Sequence, residues 1–287
     1  DIKFPSHHGN LIVFENGGYI YKMDVTNREV EKVEILIGND LNQSRTDFMD
    51  ASDRIFSADL SPNGERVLFS ARGELFSVPA DKGITYNLTR TSGVHERNGI
   101  WSPDGRQVAW LSDKSGEYEI WVNDVMGEQQ PRQLTTGGST YKFNIVWSPD
   151  SRMIAWNDQN YALYITEVQT GTTRKMAASD YTRLGDFSWS PDSRWLTYTD
   201  AGENRMGIIQ LLNVASGEIF PVTEKWYSSY NPVFSSDGKY LLFASERSFN
   251  PVYSNTEWNH AYINMSKIYM VLLAADTPSP FAPENAM

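Results

Sequence analysis

Trp101-Ser102-Pro103-Asp104-Gly105 is one of five copies of a short string that decides the architecture. The others are Leu60-Ser61-Pro62-Asn63-Gly64, Trp147-Ser148-Pro149-Asp150-Ser151, Trp189-Ser190-Pro191-Asp192-Ser193 and Phe234-Ser235-Ser236-Asp237-Gly238, so the step is 41 to 46 residues. A degenerate sixth copy, Pro5-Ser6-His7-His8-Gly9, precedes them with His7 and His8 in place of Pro and Asp. Proline presets φ for the first turn residue, Asp or Asn suits the next, and Gly tolerates the left-handed position after that. Each copy is therefore a turn between two strands. Ser151 and Ser193 stand where Gly is expected, which implies either mild strain or a different turn type.

Outward from the turns, the residues alternate as strands do. Ile12-Val13-Phe14, Val67-Leu68-Phe69, Val108-Ala109-Trp110, Ile154-Ala155-Trp156, Leu196-Thr197-Tyr198 and Leu241-Leu242-Phe243 all end on an aromatic residue. The next segment sets an aliphatic residue before an aromatic one in Ile20-Tyr21, Leu75-Phe76, Ile120-Trp121, Leu163-Tyr164 and Ile268-Tyr269, with Ile208-Ile209 as the exception. A weaker fourth strand is expected at Asn87-Leu88-Thr89, Gln133-Leu134-Thr135 and Val222-Thr223. Four short strands per repeat, aliphatic on one face and aromatic on the other, describe an all-β chain of four-stranded antiparallel β-propeller blades. The aromatic ladder is expected to pack between neighbouring blades.

The expected blades cover about 1–37, 54–91, 96–136, 141–178, 183–223 and 229–275, followed by a Pro-rich linker at 276–287 toward a missing downstream domain. The sixth blade is expected to lack its outer strand, because Pro278, Pro280 and Pro283 cannot donate to a ladder. The beginning at Asp1 reads as a cut end, and the ring as open or deprived of an upstream piece.

With 25 Lys and Arg against 36 Asp and Glu, the net charge is -11, which opposes phosphate backbones and anionic lipid as partners. Nucleic acid and membrane are not expected. The chain has no cysteine, so thiolate chemistry and disulfides are excluded. Strings for a nucleophile elbow, a zinc-binding His-Glu-x-x-His, a phosphate loop or a dinucleotide fingerprint are missing. His7, His8, His95 and His260 lack metal-ligand spacing. Catalytic residues, metal and cofactor are therefore expected to be none.

Two insertions interrupt the repeat on the face opposite the Ser-Pro-Asp turns. Residues 38–54, where Asp40, Asp47, Asp50 and Asp53 mix with Arg45 and Arg54, read as a solvated loop. Residues 248–265 carry Phe249, Tyr253, Trp258, His260 and Tyr262 among Asn and Ser, a mixture suited to peptide or partner contact, against packing on the blade edge.

The run Ser70-Ala71-Arg72-Gly73-Glu74-Leu75-Phe76-Ser77-Val78-Pro79 through Lys82-Gly83, with Asn87 to Thr91, the Trp101 turn, Ser112 to Glu119 and the tail Asp276 to Phe281, resembles the tricorn protease family. Elsewhere the repeat is shared with Tol-type and prolyl-oligopeptidase-type propellers. The resemblance implies a large modular serine peptidase with a six-bladed and a seven-bladed propeller, a PDZ-like domain and a catalytic region downstream. This chain then corresponds to the second, seven-bladed propeller. Its implied role is to gate peptides or unfolded polypeptide toward an active site elsewhere in a homo-oligomeric parent. Six repeats where seven are expected fit a piece that starts after the first blade. The resemblance favours a cytoplasmic setting and leaves a periplasmic one open. Two alternatives stand beside it: a stand-alone interaction scaffold working through Trp258 and Tyr262, and a propeller capping a prolyl-oligopeptidase-like hydrolase.

Overall fold

The structure is a computed structural model that describes residues 2–36, 38, 50–125, 130–248, 251–253, 260–262 and 264–283, with the backbone alone for 251–253 and 260–262. Two compact units are present, Asp1–Ala51 and Ser52–Met287. The first is a single antiparallel sheet of Ile2–His8, Leu11–Asn16, Tyr19–Asp24 and Val30–Lys32 in sequential order. Phe14 stacks on its cross-strand partner Tyr21 at 5.7 Å. His7 and His8 lie in the strand, opposite Ile12 and Leu11, rather than in the expected turn. The chain reverses through Gly9 and Asn10, with Gly9 at φ 56. A tight hairpin leaves no room for the longer Ser-Pro-Asp loop.

Among the described residues the second unit holds four sheets of four sequential strands, a fifth sheet of three and a two-stranded hairpin, all antiparallel. Their first strands are Ile55–Leu60, Glu96–Trp101, Lys142–Trp147, Gly185–Trp189 and Ser229–Phe234. The three-stranded sheet lacks an outer strand among the described residues. After Leu272, the last strand residue, the tail turns at Ala274–Thr277 and Ser279–Ala282, and the Tyr240 hydroxyl donates to the Pro278 carbonyl at 3.0 Å.

Each Ser-Pro-Asp turn closes on itself. The Ser102 hydroxyl donates to Asp104 Oδ1 at 2.6 Å and accepts the Gln107 amide at 2.9 Å. Asp104 accepts the Arg106 amide, and the Gly105 amide returns to the Ser102 carbonyl. Ser61, Ser148, Ser190 and Ser235 repeat the pattern. The two exceptional serines adopt this same turn with strain: Ser151 and Ser193 sit at φ 59 and 60, close to the 71 of Gly105. Each hydroxyl recovers a contact, since Ser151 accepts the amide of Asp104 and Ser193 that of Asp150, both at 3.1 Å from the preceding blade.

Between blades, the aromatic face of one sheet meets the aliphatic face of the sheet before it. Trp101 and Trp110 pack on Leu68 and Leu75. Trp147 and Trp156 pack on Ala109, Leu111 and Ile120, and Trp189 and Tyr198 on Ala155, Leu163 and Ile165. Phe243 closes over Ile209. Burying such side chains contributes about 1.5–3 kcal/mol each, so the ladder is the main adhesive between blades.

Two expectations about strands shift by a residue or two. The short fourth strands are Tyr86–Asn87, Arg132–Gln133 and Ile219–Pro221, ending before the expected Leu-Thr or Val-Thr. There the threonine side chain replaces a ladder bond: Thr89, Thr135 and Thr223 accept the amides of Leu75, Ile120 and Ile209 at 3.1, 2.9 and 3.0 Å. The same bond, and the pairing of Tyr198 with Gln210, show that Ile209-Gln210, not Ile208-Ile209, occupies the aliphatic–aromatic position of its blade.

Candidate functional site

The first strands of the second unit carry a repeated irregularity. A β-bulge breaks the pairing with the second strand between Ile55 and Ser57, opposite Ala109 and Leu111, between Lys142 and Ile145, between Gly185 and Ser188, and between Tyr230 and Val233. Asn98, Asp186 and Asn231 take left-handed backbones there, at φ 53, 53 and 52. Asn and Asp adopt that region at lower cost than other residues with a Cβ. Pro232 has no amide to leave unpaired, which suits the same place. A bulge unpairs backbone and re-aims a side chain, so these strands present polar groups instead of a plain ladder.

The bulges also let first strands of successive blades bond to each other. Asn98 Nδ2 donates to the Phe143 carbonyl at 3.3 Å, and the Asn231 amide to Asp186 Oδ2 at 3.3 Å. One step further along, the Trp101 amide donates to Asp59 Oδ2 at 2.7 Å and the Phe234 amide to Ser188 Oγ at 3.4 Å. Burial pushes the Asp59 carboxyl above its ordinary value, against the pull of the Trp101 and Leu60 amides. Gly99 permits the close approach, because a Cβ there would stand 2.9 Å from Leu68 and Leu75. Ser57, Asp59, Asn98, Ile100, Asn144 and Val146, from three consecutive first strands, line a cavity of about 260 Å³.

At the N-terminal end of two of these strands lies a charged cluster. Lys142 and Glu119, both fully buried, pair at 3.0 Å between adjacent blades. Lys142 Nζ also donates to the Tyr118 carbonyl at 2.8 Å, and Glu119 accepts the Gly138 amide at 2.7 Å and the Thr135 hydroxyl. The buried Arg97 guanidinium lies 4.3 Å from the Tyr118 ring and 4.4 Å from the Tyr141 ring, and donates to the Lys142 carbonyl at 2.6 Å. His95 Nδ1 meets the Tyr118 hydroxyl at 2.5 Å. Burial raises the Glu96 carboxyl, against the pull of Thr89, Thr91 and Trp110. These groups fasten blade to blade. The Ser102–Asp104 pair is likewise a turn closure with no histidine in it. Among the described residues no cluster of His, Asp and Glu is arranged to hold a metal ion.

Of the sequence-derived contact residues, Phe249 and Trp258 lie outside the described residues. Tyr253 and His260 stand opposite one another in a two-stranded hairpin of Pro251–Tyr253 and His260–Tyr262, with Tyr262 opposite Pro251. The hairpin is an insertion between the second and third strands of the last sheet, Tyr240–Glu246 and Ser266–Leu272. Sequence reasoning passed over the bulge residues. A signal was available: Ser57, Asn98, Asn144, Asp186 and Asn231 each stand three residues before the repeated Leu60, Trp101, Trp147, Trp189 and Phe234.

Bladed antiparallel sheets packed face to face, with polar first strands, define a β-propeller module. The chain belongs to the family of the tricorn protease second β-propeller domain, whose family model matches residues 55–287. It is 26% identical to tricorn protease homolog 1 of Streptomyces coelicolor over 96% of this chain and 26% of that protein. It is also 26% identical to the tricorn protease of Thermoplasma volcanium, over 96% of this chain and 27% of that protein. The chain thus spans about a quarter of the length of these relatives. Among solved structures, a crystal structure of the tricorn protease superposes with a TM-score of 0.73 at 20% identity, over 96% of this chain and 27% of the other. A TolB structure from Agrobacterium tumefaciens gives 0.53 at 17% identity, over 89% and 84%. Both likenesses concern the fold.

Proposed function

We propose that this chain is the non-catalytic, substrate-access propeller of a tricorn-like serine peptidase. Peptides or unfolded polypeptide pass along its first strands toward an active site in another domain of the parent protein. The observation that carries this reading is the run of bulged, polar first strands lining one cavity, in a chain of this family. In the parent, the first strands belong to a seven-bladed ring and line its passage, and folded proteins are rejected by size. The proposed parent is a homo-oligomer, and residues 276–287 lead toward its next domain. The hairpin residues Tyr253, His260 and Tyr262, with Phe249 and Trp258, are proposed to contact substrate or a neighbouring domain at the rim.

Asn144 is exposed on a first strand, and the chain has no cysteine of its own. In the parent protein, Asn144→Cys coupled to a bulky maleimide should slow hydrolysis of long unstructured peptides on the order of tenfold, while leaving tripeptide substrates nearly unaffected. Maleimide-treated wild type is the control. Equal rates for long peptides before and after labelling would overturn the proposal.

A further inference from the structure

The four junctions between successive sheets of the second unit share one register at the turn end. In the later sheet of each, an amide donates to the carbonyl of the residue just after the Ser-Pro-Asp turn: Val125 to Arg106, Val168 to Arg152, Val214 to Arg194 and Leu273 to Lys239. The earlier sheet contributes two residues, the first of its second strand and one from its fourth. These pairs are Arg66 with Tyr86, Gln107 with Arg132, Met153 with Arg174, and Trp195 with Phe220. Arginine stands in three of the four. Arg132 and Arg174 cross to the later sheet and donate to the carbonyls of Val168 and Val214, the latter at 2.9 Å. Arg66 instead lays its guanidinium over the Tyr86 ring, 5.1 Å from the ring centre.

The last junction carries two aromatic rings in these positions. Trp195 and Phe220 stand 6.1 Å apart, and Phe220 is 45% exposed. With Pro191, Leu211, Phe234 and Leu273 they line a cavity of about 580 Å³. An aromatic ring like the one that takes a guanidinium at Tyr86, and a residue whose counterparts Val168 and Val214 accept one, therefore line a single cavity here. Aromatic faces attract guanidinium groups, most strongly those of tryptophan. Asp192 and Asp237 line the same cavity and add negative charge, in a chain whose net charge is -11. Two resident cations stand beside them, Arg194 at 3.9 Å from Asp192 and Lys239 at 3.7 Å from Asp237. They do not close the site to a further cation: Arg152, the counterpart of Lys239, lines a cavity together with Arg132 at the earlier junction. We propose that the cavity binds an arginine side chain presented by a partner polypeptide, its guanidinium against Phe220 and Trp195 and directed at the Leu273 carbonyl. The cavity exceeds what a guanidinium fills, and its apolar wall takes the residues beside the arginine, so the occupant is a chain segment rather than the free amino acid. Lysine is a poorer match, because its ammonium lacks the flat face that stacks on a ring. The site lies at the turn end and does not depend on the substrate-access reading.

The test uses this chain and a fluorescein-labelled peptide, Ala-Leu-Arg-Leu-Ala, followed by fluorescence anisotropy. Citrulline in place of the arginine keeps the shape, loses the charge and should weaken binding about tenfold; lysine should weaken it about threefold. Acetyl-arginine amide should displace the probe only at roughly tenfold higher concentration than the unlabelled peptide. Phe220→Leu keeps an apolar wall without the ring and should weaken binding about three- to tenfold. Phe220→Arg installs the residue found at Arg132 and Arg174, fills the site from within and should abolish binding. Ile219→Arg adds the same charge on the opposite face of the strand and should bind within about twofold of wild type. Both positions are exposed, so the variants should keep the fold, checked by circular dichroism. No saturable binding of the arginine peptide, equal affinity for the citrulline or lysine peptide, or Phe220→Arg binding like wild type would overturn the site. Displacement by acetyl-arginine amide as effective as by the peptide would overturn the polypeptide source. The labelled Asn144→Cys parent reports separately on passage, so either proposal can fail while the other stands.

Discussion

The two ends of the blades are built by different rules. At the turn end, every blade of the second unit repeats one local circuit of Ser hydroxyl, Asp carboxylate and backbone amide, closed within six residues. At the opposite end, the groups that join blades are far apart in sequence: Glu119 reaches Lys142, Arg97 reaches the Lys142 carbonyl, and Arg97 lies against Tyr118 and Tyr141. A local circuit is stable wherever its string occurs, so it is repeated. A buried ion pair such as Glu119–Lys142 depends on how two particular sheets meet, and among the described residues it occurs once. The difference locates the sensitivity of the molecule: damage at the turn end should be graded and modest, damage at the opposite end abrupt.

The largest effect is expected for Lys142→Met. It strands Glu119, a fully buried carboxylate, and should lower stability by about 3–5 kcal/mol in urea unfolding. The double variant Lys142→Met, Glu119→Leu removes both charges and should recover most of the loss. A double variant no better than the single would show that packing around Lys142, rather than its charge, holds the blades together, and the contrast between the two ends would fade.

A smaller effect distinguishes serine from glycine at the turn end. Ser151→Ala keeps the left-handed strain and loses the bond to the Asp104 amide, and should cost about 1 kcal/mol. Ser151→Gly loses the bond but relieves strain of about 1 kcal/mol, and should be close to neutral. If alanine and glycine proved equivalent in thermal melts, the serine would contribute nothing through its backbone conformation.

The smallest effect is in pH dependence, where the two sets of carboxyls pull in opposite directions. Burial tends to raise Asp104 and Asp192, but the hydroxyls of Ser102 and Ser190 and the following amides outweigh it and hold both below the ordinary value. For Asp237 the Ser235 hydroxyl is the leading cause of the same lowering. Their stabilisation is complete above the ordinary Asp range near 3.8 and is lost as pH falls through the lowered values. Glu96 and Asp59 are both raised by burial, so the folded state takes up protons there before the unfolded one does. Stability should therefore rise as pH falls from neutral toward the ordinary Glu value of 4.5, then decline below about 4 as the turn aspartates protonate. Glu96→Gln should remove its share of the rise, leave the part that Asp59 contributes, and keep the acid decline in place. Urea midpoints measured across this range check both limbs, and an undiminished rise in Glu96→Gln would take Glu96 out of the account.

Much of the fold was legible because its signals are short-range and repeated. Trp101 to Gly105 and its relatives marked the turns, and Phe14, Trp110, Trp156 and Tyr198 marked one sheet face. Where the reading slipped, longer-range choices had been made. Ile209 rather than Ile208 occupies the repeated position, because pairing with Leu196 to Tyr198 sets the register. His7 and His8 fell in a strand, since a tight hairpin at Gly9 replaced the longer turn. The bulged first-strand residues were hidden for a related reason. Asn and Asp before an aromatic look like ordinary strand or turn polar residues until pairing shows a bulge.

The amino-acid sequence by itself determined the repeat length, the turn chemistry, the alternation of aliphatic and aromatic faces and the family, because each is carried by contacts within one blade or by one string of residues. Only the tertiary structure decided which polar atoms remain free. Asn98 spends its amide nitrogen on Phe143, Lys142 spends its charge on Glu119, and Ser57 finds no partner, all according to how neighbouring blades meet. A hydrogen bond between distant residues exists only once packing has set their separation to within a few tenths of an ångström. That condition is not encoded in either residue alone.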